Sequence, residues 1–323
     1  MKAFDDTLNA LRHVGQVLLS ESYTAPWAIH IPDADKLRQL LALDRRARAV
    51  PFHFVRRGSF HLRVSDRDAI MINEGETAIL FGGKDHLMYE RSTLNAAEFS
   101  DIIKDHQRSA NQEAGSGTEL ICGVFVMTQA NGNPMFEALP SLLVADLSGK
   151  SGGRTLCALG NILASEIETP RMGSSYMIGR LLQMLCAEAI RAHLENGQDH
   201  GPNWFNGLRD RKIGGALNLI HTDPAAPVTV PDLARHAGMS GSRFAARFRE
   251  KLGVSPIRYL ASWRMALAAQ HLAEGEKTVS QVAEMVGYES LPAFNRAFRR
   301  AHGCPPGAWR TLQADKLGQG CAF

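Results

Sequence analysis

The sequence predicts an α+β protein, with a β-barrel and flanking helices in its N-terminal part and an all-α C-terminal third. Three observations carry this prediction. Short apolar runs separated by turn glycines fill residues 27–130, helical spacing of apolar residues dominates from about residue 135, and one residue pattern occurs twice near the C-terminal end. With 323 residues, 45% of them hydrophobic, the chain is long enough for two domains with separate cores.

The barrel is predicted from alternation of apolar and polar residues. Phe60–Val64 alternates directly after Gly58, and the runs Ala69–Ile72 and Thr77–Phe81 flank a turn at Gly75. Alternation interrupted by glycine turns is typical of antiparallel strands with one buried face.

Two long helices are predicted within residues 135–197, over Arg154–Ile167 and Tyr176–Leu194. The second helix carries one apolar stripe, formed by Ile178, Leu181, Leu182, Leu185, Ala189 and Ile190. The stripe fits two interpretations equally well. It packs against its own barrel, or it contacts a second copy of the chain in a homodimer.

Composition divides the chain into a first domain (1–200), a linker (201–212), a helical domain (213–313) and a tail (314–323). Residues 208–312 hold 15 Lys and Arg against 8 Asp and Glu, a net charge of +7, whereas the whole chain has +3. A basic segment on a slightly acidic body is the charge distribution expected of a protein that contacts phosphates.

The sequence shows no signal for export or membrane insertion. It contains no apolar run of about 18 residues, and acidic Asp5 and Asp6 stand where a secretory signal is basic and then apolar. Its five cysteines are scattered without a Cys-x-x-Cys pair, which argues against a disulfide framework or a zinc finger. We therefore expect a cytoplasmic protein without membrane contact.

The helical segment contains an internal repeat at an offset of 49–50 residues. The recurring pairs are Leu233-Ala234-x-x-Ala237-Gly238 with Val282-Ala283-x-x-Val286-Gly287, Phe244-x-x-x-Phe248 with Phe294-x-x-x-Phe298, Gly253-x-Ser255-Pro256 with Gly303-x-Pro305-Pro306, and Tyr259 with Trp309. Several matches in one register are hard to obtain by chance, so the segment is expected to contain two copies of one structural unit.

Each copy is predicted to be a helix-turn-helix. Gly238 and Gly287 tolerate the positive φ that the turn needs, and Ser240 and Ser290 stand where they can cap the second helix of each unit. One long helix over Ile257–Ala273 separates the units. Two recognition helices held apart by such a connecting helix can enter successive major grooves of DNA, about 34 Å apart.

The second unit carries the most specific motif. It reads Val286-Gly287-Tyr288-Glu289-Ser290, then Phe294-x-Arg296-x-Phe298-Arg299-Arg300-x-x-Gly303-x-Pro305-Pro306. At these residues the chain resembles the AraC/XylS family of bacterial transcription regulators, over about 214–312. The resemblance implies a regulator, activator or repressor, that binds double-stranded promoter DNA and works with RNA polymerase.

The resemblance also implies which side chains read DNA bases. They are Ser242, Arg243, Ala245 and Ala246 in the first unit and Leu291, Pro292, Asn295 and Arg296 in the second. The family often has Arg at position 246 and polar residues at 291 and 292, so direct readout is expected to rest on Arg243, Asn295 and Arg296. Phosphate contacts, which position a protein without specifying sequence, are assigned to Arg247, Arg249, Arg299 and Arg300.

A second resemblance lies in the barrel. Gly75-x5-Phe81-x-Gly83-x2-His86 resembles the second motif of the cupin barrel, with Phe81 in place of its usual Pro. The segment from His53 to Gly58 resembles the end of the first motif. Enzyme-type cupins place a His-x-His pair and a Glu before this glycine, and this chain has neither, so an enzyme is not predicted.

Three residues of the cupin-like barrel are candidates for a binding site. His53 and His86 are expected to face the interior, and Cys122 lies on a later strand. Imidazole and thiolate suit Zn²⁺ or a similar metal, and neutral histidines can also orient a small organic effector. A third interpretation is that all three are buried residues with satisfied hydrogen bonds.

Together these features predict a regulator in which a small-molecule effector binds the barrel, a homodimer forms, and the helical domain binds DNA. Two alternatives remain. One is a cupin-type metal-dependent enzyme fused to a DNA-binding domain, and the other is a dimeric regulator that needs no effector.

Overall fold

The computed structural model describes residues 2–11, 13–44, 47–65, 68–91, 95–106, 117–128, 133–148, 154–196 and 201–317. The chain forms two compact units. The barrel unit contains His13–Thr128 and Leu139–Asn196, and the helical unit contains Met1–Arg12, Gln129–Ala138 and Gly197–Phe323. No helix in the described part of the chain combines the length and apolarity needed to cross a membrane.

The strands are β1 (His13–Tyr23), β2 (Ala28–Ile31), β3 (Arg48–Arg57), β4 (Ser59–Val64), β5 (Ile70–Asn73), β6 (Glu76–Ile79), β7 (His86–Tyr89), β8 (Ala97–Glu98), β9 (Thr118–Met127) and β10 (Leu143–Asp146). The helices are α1 (Lys2–Leu11), α2 (Ala34–Leu40), α3 (Phe99–His106), α4 (Pro134–Ala138), α5 (Arg154–Glu168), α6 (Ser174–Asn196), α7 (Trp204–Arg209), α8 (Arg211–Thr222), α9 (Val230–His236), α10 (Gly241–Leu252), α11 (Pro256–Glu274), α12 (Val279–Met285), α13 (Leu291–His302) and α14 (Pro306–Leu317).

The barrel unit is built from two five-stranded sheets. Their strand orders are β1-β9-β3-β6-β10 and β5-β4-β7-β2-β8. Neighbouring strands pair antiparallel, except that β2 and β8 are parallel. Leu19, Phe60, Leu62 and Val124 belong to the apolar core of this unit. The fold class expected from the sequence is confirmed, with a sheet-rich cupin-type unit followed by a helical unit.

The sheets extend beyond the predicted limits of 27–130. β1 pairs with β9 from His13 to Tyr23, and β10 pairs with β6. Burial along β1 does not alternate regularly, so its pattern gave no strand signal. β10 falls in an apolar run of nine residues, Leu139–Leu147, which periodicity alone cannot distinguish from a helix.

The predicted helices after the barrel are present as α5 and α6. Of the apolar stripe on α6, Leu181, Leu182, Leu185, Ala189 and Ile190 are buried. Leu182 lies directly against the backbone of β1 at Gly15, where no Cβ would fit. The stripe therefore packs within its own unit, which was one of the two interpretations.

The elements of the helical unit extend beyond the predicted boundaries of the helical domain. Within the predicted linker 201–212, Trp204 and Phe205 of α7 are buried, and Asp210 is the N-cap of α8. Gly and Pro near residue 201 indicated a linker, but these aromatic residues contribute to a core. α14 continues past 313 to Leu317, and positions 318–323 of the predicted tail lie outside the described residues.

By its contacts the first helix groups with the helical unit, although the predicted first domain 1–200 includes it. Phe4 stacks on Trp204 with ring centroids 6.4 Å apart. The backbone N–H of Ala3 donates to Asn218 Oδ1 at 3.0 Å. These partners are 200 or more residues away in sequence, so no local pattern could predict them.

Candidate nucleic-acid interface and barrel interior

The two helix-turn-helix units begin in the same way. Thr229 at α9 and Thr278 at α12 each form a reciprocal capping box, with Asp232 and Gln281 respectively. Each turn then passes through a glycine with positive φ, +62° at Gly238 and +76° at Gly287. The Ser residues predicted to cap α10 and α13 stand at the N-cap positions, but their side chains make no capping hydrogen bond.

The aromatic cores of the two units are also equivalent. The Phe244–Phe248 and Phe294–Phe298 ring centroids are both 5.7 Å apart. Phe248 meets Tyr259 edge to face at 5.8 Å, and Phe298 meets Trp309 in the same way at 5.8 Å. The sequence repeat is thus a repeat of packing, which leaves the opposite faces of α10 and α13 free of core contacts.

Those opposite faces carry the residues predicted to read bases. The exposed ones are Ser242, Arg243, Ala246, Leu291, Pro292, Asn295 and Arg296, and Ala245 is half-buried. They lie in the first two turns of their helices, before or beside the buried phenylalanines. The arrangement can therefore present two short rows of side chains to a groove, with two arginines and one asparagine as hydrogen-bonding groups.

Three of the four arginines predicted to contact phosphates are available on the surface. Arg249, Arg299 and Arg300 are exposed, and within the described residues none forms an ion pair with a carboxylate. Uncompensated guanidinium groups at the ends of two equivalent helices favour contact with a polyanion.

Arg247 differs from the other three. Its Nε and Nη2 donate to Asp210 Oδ2 at 2.9 and 2.6 Å, and Asp210 also accepts from the backbone N–H groups of Lys212 and Ile213. Burial acts to raise the pKa of Asp210, but these hydrogen bonds outweigh it and hold the pKa below the usual value. Arg247 therefore joins α10 to the start of α8, which argues against its predicted role as a phosphate contact.

The sequence analysis missed Arg264, in the middle of α11. Its guanidinium donates to three backbone carbonyls: Pro224 O at 2.7 Å, Ala226 O at 2.9 Å and Gly287 O at 3.3 Å. The first two belong to the loop before α9, and the third to the turn of the second unit. This side chain thus links the first helix-turn-helix to the second. In the sequence it was visible only as a charged residue within an Ala-rich helix.

In the barrel unit, the structure brings the three candidate residues together. His53 on β3 and Cys122 on β9 are cross-strand neighbours, with His53 Nδ1 3.1 Å from Cys122 Sγ. His53 Nε2 lies 2.8 Å from Nε2 of His86. All three are at most 3% exposed.

These contacts form a hydrogen-bonded chain of neutral side chains and not a set of metal ligands. Burial lowers the pKa of His86 to about 4 and that of His53 well below its usual value, while it raises the pKa of the Cys122 thiol. His53 offers opposite ring nitrogens to its two partners, so the three donor atoms do not surround one point as Zn²⁺ requires. Among the described residues, no group of three His, Cys, Asp or Glu is placed to hold a metal.

An aromatic row continues from the histidines into the core. Phe60 lies 6.3 Å from His53, Trp27 lies 6.1 Å from Phe60, and Tyr23 lies 5.1 Å from Trp27, all between ring centroids. The Nε1–H of Trp27 is buried, and it has no hydrogen-bond partner within the described residues. An indole N–H left without an acceptor in an apolar core is costly unless something binds there.

Comparison with known proteins covers both units. The cupin family matches residues 3–195, and the helix-turn-helix domain family matches residues 233–311. A putative AraC-like transcription regulator of Streptomyces lividans is 32% identical over 81% of this chain and 87% of its own length. The transcriptional regulator AlkR of Acinetobacter baylyi is 27% identical over 88% of this chain and 90% of its own length.

Among solved structures, ToxT of Vibrio cholerae covers 93% of this chain and 98% of its own length, at 10% identity and a TM-score of 0.36. At that score the similarity adds nothing to the assignment made from the sequence relatives.

Proposed function

Because this chain belongs to the AraC-like transcription regulators and its first 195 residues match the cupin family, we propose that α10 and α13 read promoter DNA through Arg243, Asn295 and Arg296. The observation that carries this proposal is the exposure of these residues on equivalent faces of two repeated helices. Arg is suited to guanine and Asn to adenine in the major groove, because each can form two hydrogen bonds to one base edge.

The phosphate contacts are assigned to Arg249, Arg299 and Arg300. Each lies after the buried Phe of its helix, so it is placed to flank a groove and not to enter it. Such contacts hold the helices in register on the duplex, and they make binding dependent on salt.

Arg296→Ala and Arg299→Ala form a matched pair that tests these roles. Arg296→Ala is expected to cost about 1–3 kcal/mol in binding to the cognate site and to relax sequence preference. Arg299→Ala is expected to weaken cognate and random DNA alike and to reduce the slope of log K against log salt by about one. Fluorescence anisotropy on both DNAs over a salt series measures these effects. Equal loss on both DNAs for Arg296→Ala would contradict its role in base reading.

For the barrel, we infer that it binds a small, largely apolar effector carrying a hydrogen-bond acceptor. The unpartnered Trp27 Nε1–H supports this inference, as does the row of rings from Trp27 to His86. The effector would regulate DNA binding by favouring one arrangement of the chain over another. Native mass spectrometry of the protein purified under mild conditions measures any bound molecule. A chain that controls its promoter normally with an empty barrel would favour the effector-independent alternative.

The same geometry argues against the enzyme alternative. A metal-dependent cupin needs several ligands that converge on one point, and His53, His86 and Cys122 do not converge. We propose that the protein has no enzymatic activity and regulates transcription together with RNA polymerase in the cytoplasm.

We also propose that the chain forms a homodimer through the outer face of α5 and α6. Ile162, Tyr176, Met177 and Met184 are large apolar side chains between 45% and 66% exposed. Several exposed apolar side chains of this size on two neighbouring helices are typical of a contact surface. The proposal replaces the predicted stripe on α6, which is used inside the barrel unit.

Met184→Glu is expected to convert the dimer to a monomer, because it places a charge among these apolar side chains. Light scattering coupled to size-exclusion chromatography measures the mass. Met71→Glu is the control, since Met71 is 51% exposed but lies on β5 and not on these helices. Unchanged mass for Met184→Glu would place the dimer contact elsewhere or show a monomer.

A further inference from the structure

The recognition helix of the second unit begins with apolar side chains. Leu291 is the first residue of α13 and is 40% exposed. Pro292 follows it in the first turn and is also exposed. Neither side chain can donate or accept a hydrogen bond, so the readout proposed above gives them no role. What Leu291 can contact is decided by the direction in which it points.

The core of the second unit does not take up Leu291. Phe294 and Phe298 occupy the buried face of α13. Tyr288 and Ala297 are among the partly buried side chains that pack against this core, and within the described residues Leu291 is not one of them. Leu291 therefore lies outside the packing that holds the unit together.

The first unit shows where this position points. Each recognition helix has 12 residues and follows an N-cap Ser, so Leu291 of α13 is equivalent to Gly241 of α10. A Cβ at Gly241 would meet nothing within 4 Å in the described part of the chain. The position thus faces outward, and of the two recognition helices only α13 places a side chain there.

Leu291 is a neighbour of the residues proposed to read bases. Asn295 lies four residues after it, a spacing that makes two side chains adjacent on a helix surface. Arg296, Arg299 and Arg300 follow, all exposed, and α13 contains no acidic residue. Three guanidinium groups on one helix favour a polyanion over an apolar protein surface as the partner of this face.

The major groove of DNA offers one apolar group for such a side chain. It is the C5 methyl group of thymine, which distinguishes thymine from the other three bases, and apolar side chains can contact it. The N-terminal residues of a recognition helix are the ones that reach base edges. A phosphate offers no comparable contact, because it is charged and only accepts hydrogen bonds.

We infer that Leu291 is a fourth base-reading residue, which contacts the methyl group of a thymine close to the bases read by Asn295 and Arg296. The inference rests on the proposed function of α13 as a recognition helix. The contact removes apolar surface of both partners from water, which stabilises the complex without a hydrogen bond. The DNA sub-site of α13 therefore contains a thymine that is recognised by its methyl group.

Replacement of thymine by uracil tests this inference, because uracil lacks the methyl group and pairs in the same way. A cognate duplex is first selected from random-sequence DNA with the full chain, and each thymine is then replaced in turn by deoxyuridine. The sub-site of α13 is the one where Arg296→Ala relaxes sequence preference. There we expect one replacement to weaken binding by about fourfold, the effect of one buried methyl-sized group. Fluorescence anisotropy measures the affinities.

Variants at position 291 assign the effect to this side chain. Leu291→Ala is expected to bind the thymine and uracil duplexes equally, whereas Leu291→Met keeps an apolar side chain and retains a preference of about twofold or more. Met285→Ala is the control, since Met285 is 42% exposed in the same unit but lies on α12. It is expected to keep the full preference for thymine. Circular dichroism checks that each variant is folded.

Two outcomes would overturn the inference and leave the proposed DNA interface intact. Unchanged affinity after every replacement in the α13 sub-site would mean that no thymine methyl group is contacted there. A uracil effect of the same size in folded Leu291→Ala would assign the methyl contact to another side chain. Failure to select any preferred duplex would instead contradict the proposed reading of DNA sequence, and this inference with it.

Discussion

Arg264→Ala is expected to lower the free energy of unfolding of the helical unit by about 3 kcal/mol, because it leaves three part-buried carbonyl groups without their charged donor. Burial lowers the pKa of Arg264, which Tyr288 and Asp223 partly offset. Urea denaturation followed by tryptophan fluorescence measures the loss, since Trp204, Trp263 and Trp309 lie in this unit and Trp27 does not.

Arg258→Ala on the same helix is the matched control. Arg258 is exposed, and within the described residues its side chain makes no hydrogen bond or ion pair that joins the two helix-turn-helix repeats. Substitution there is expected to change stability by less than about 0.5 kcal/mol. Arg264→Ala should also weaken binding to a full promoter site more than binding to a half site, because it loosens the spacing of α10 and α13. Similar stability of the two variants would show that the carbonyl contacts of Arg264 contribute little.

Gly287→Ala is expected to destabilise the helical unit by about 3 kcal/mol, more than the equivalent change Gly238→Ala. Both glycines have positive φ, so alanine is strained by about 1–2 kcal/mol at either position. At Gly287 a Cβ would also lie 2.6 Å from Ala225 O and 2.8 Å from Arg264 Nη2, whereas at Gly238 it would meet nothing within 4 Å. The difference in unfolding free energy between the two variants measures the cost of this steric clash.

The same urea denaturation measures both glycine variants. Gly238→Ala is expected to lose only about 1 kcal/mol, which is the backbone strain by itself. If both variants lost the same amount, the loop at Ala225 would be able to move away from the new methyl group at no cost. The close approach of this loop to the second turn would then be unimportant for stability.

Much of the candidate DNA interface could be predicted from the sequence. A helix repeats every 3.6 residues, so Phe244 and Phe248 on one face fix which neighbours lie outside. The offset to Phe294 and Phe298 then places the second recognition helix without any tertiary information. The expected exposure of Arg243 and Arg296 is a consequence of this local periodicity.

The free or bound state of each arginine could not be predicted in this way. Arg247 and Arg249 lie on the same helix, yet only Arg247 reaches Asp210, 37 residues earlier in the chain. An ion pair of this kind depends on how α7 and α8 pack against α10. An arginine on an exposed helix face is therefore accessible to solvent, but a carboxylate can still hold it and make it unavailable to DNA.

The barrel site shows the same limit. The motifs around Gly75 and Gly58 indicated that His53 and His86 face the interior, and the structure joins them at 2.8 Å. Which ring nitrogen faces which partner decides between a metal cage and a hydrogen-bonded relay, and that depends on the register of β3 against β9. Register is set by pairing along the whole strand, so it cannot be predicted from the residues of the site alone.

By itself, the sequence determined the class of the two units, the helix-turn-helix repeat with its turn glycines, and the face of each recognition helix. These features follow from short-range periodicity and from the backbone preferences of single residues. Only the tertiary structure decided that α1 belongs to the helical unit, that Arg264 links the two repeats, and that Arg247 is bound by Asp210. Each of these depends on contacts between residues distant in sequence, and chain geometry alone brings such residues together.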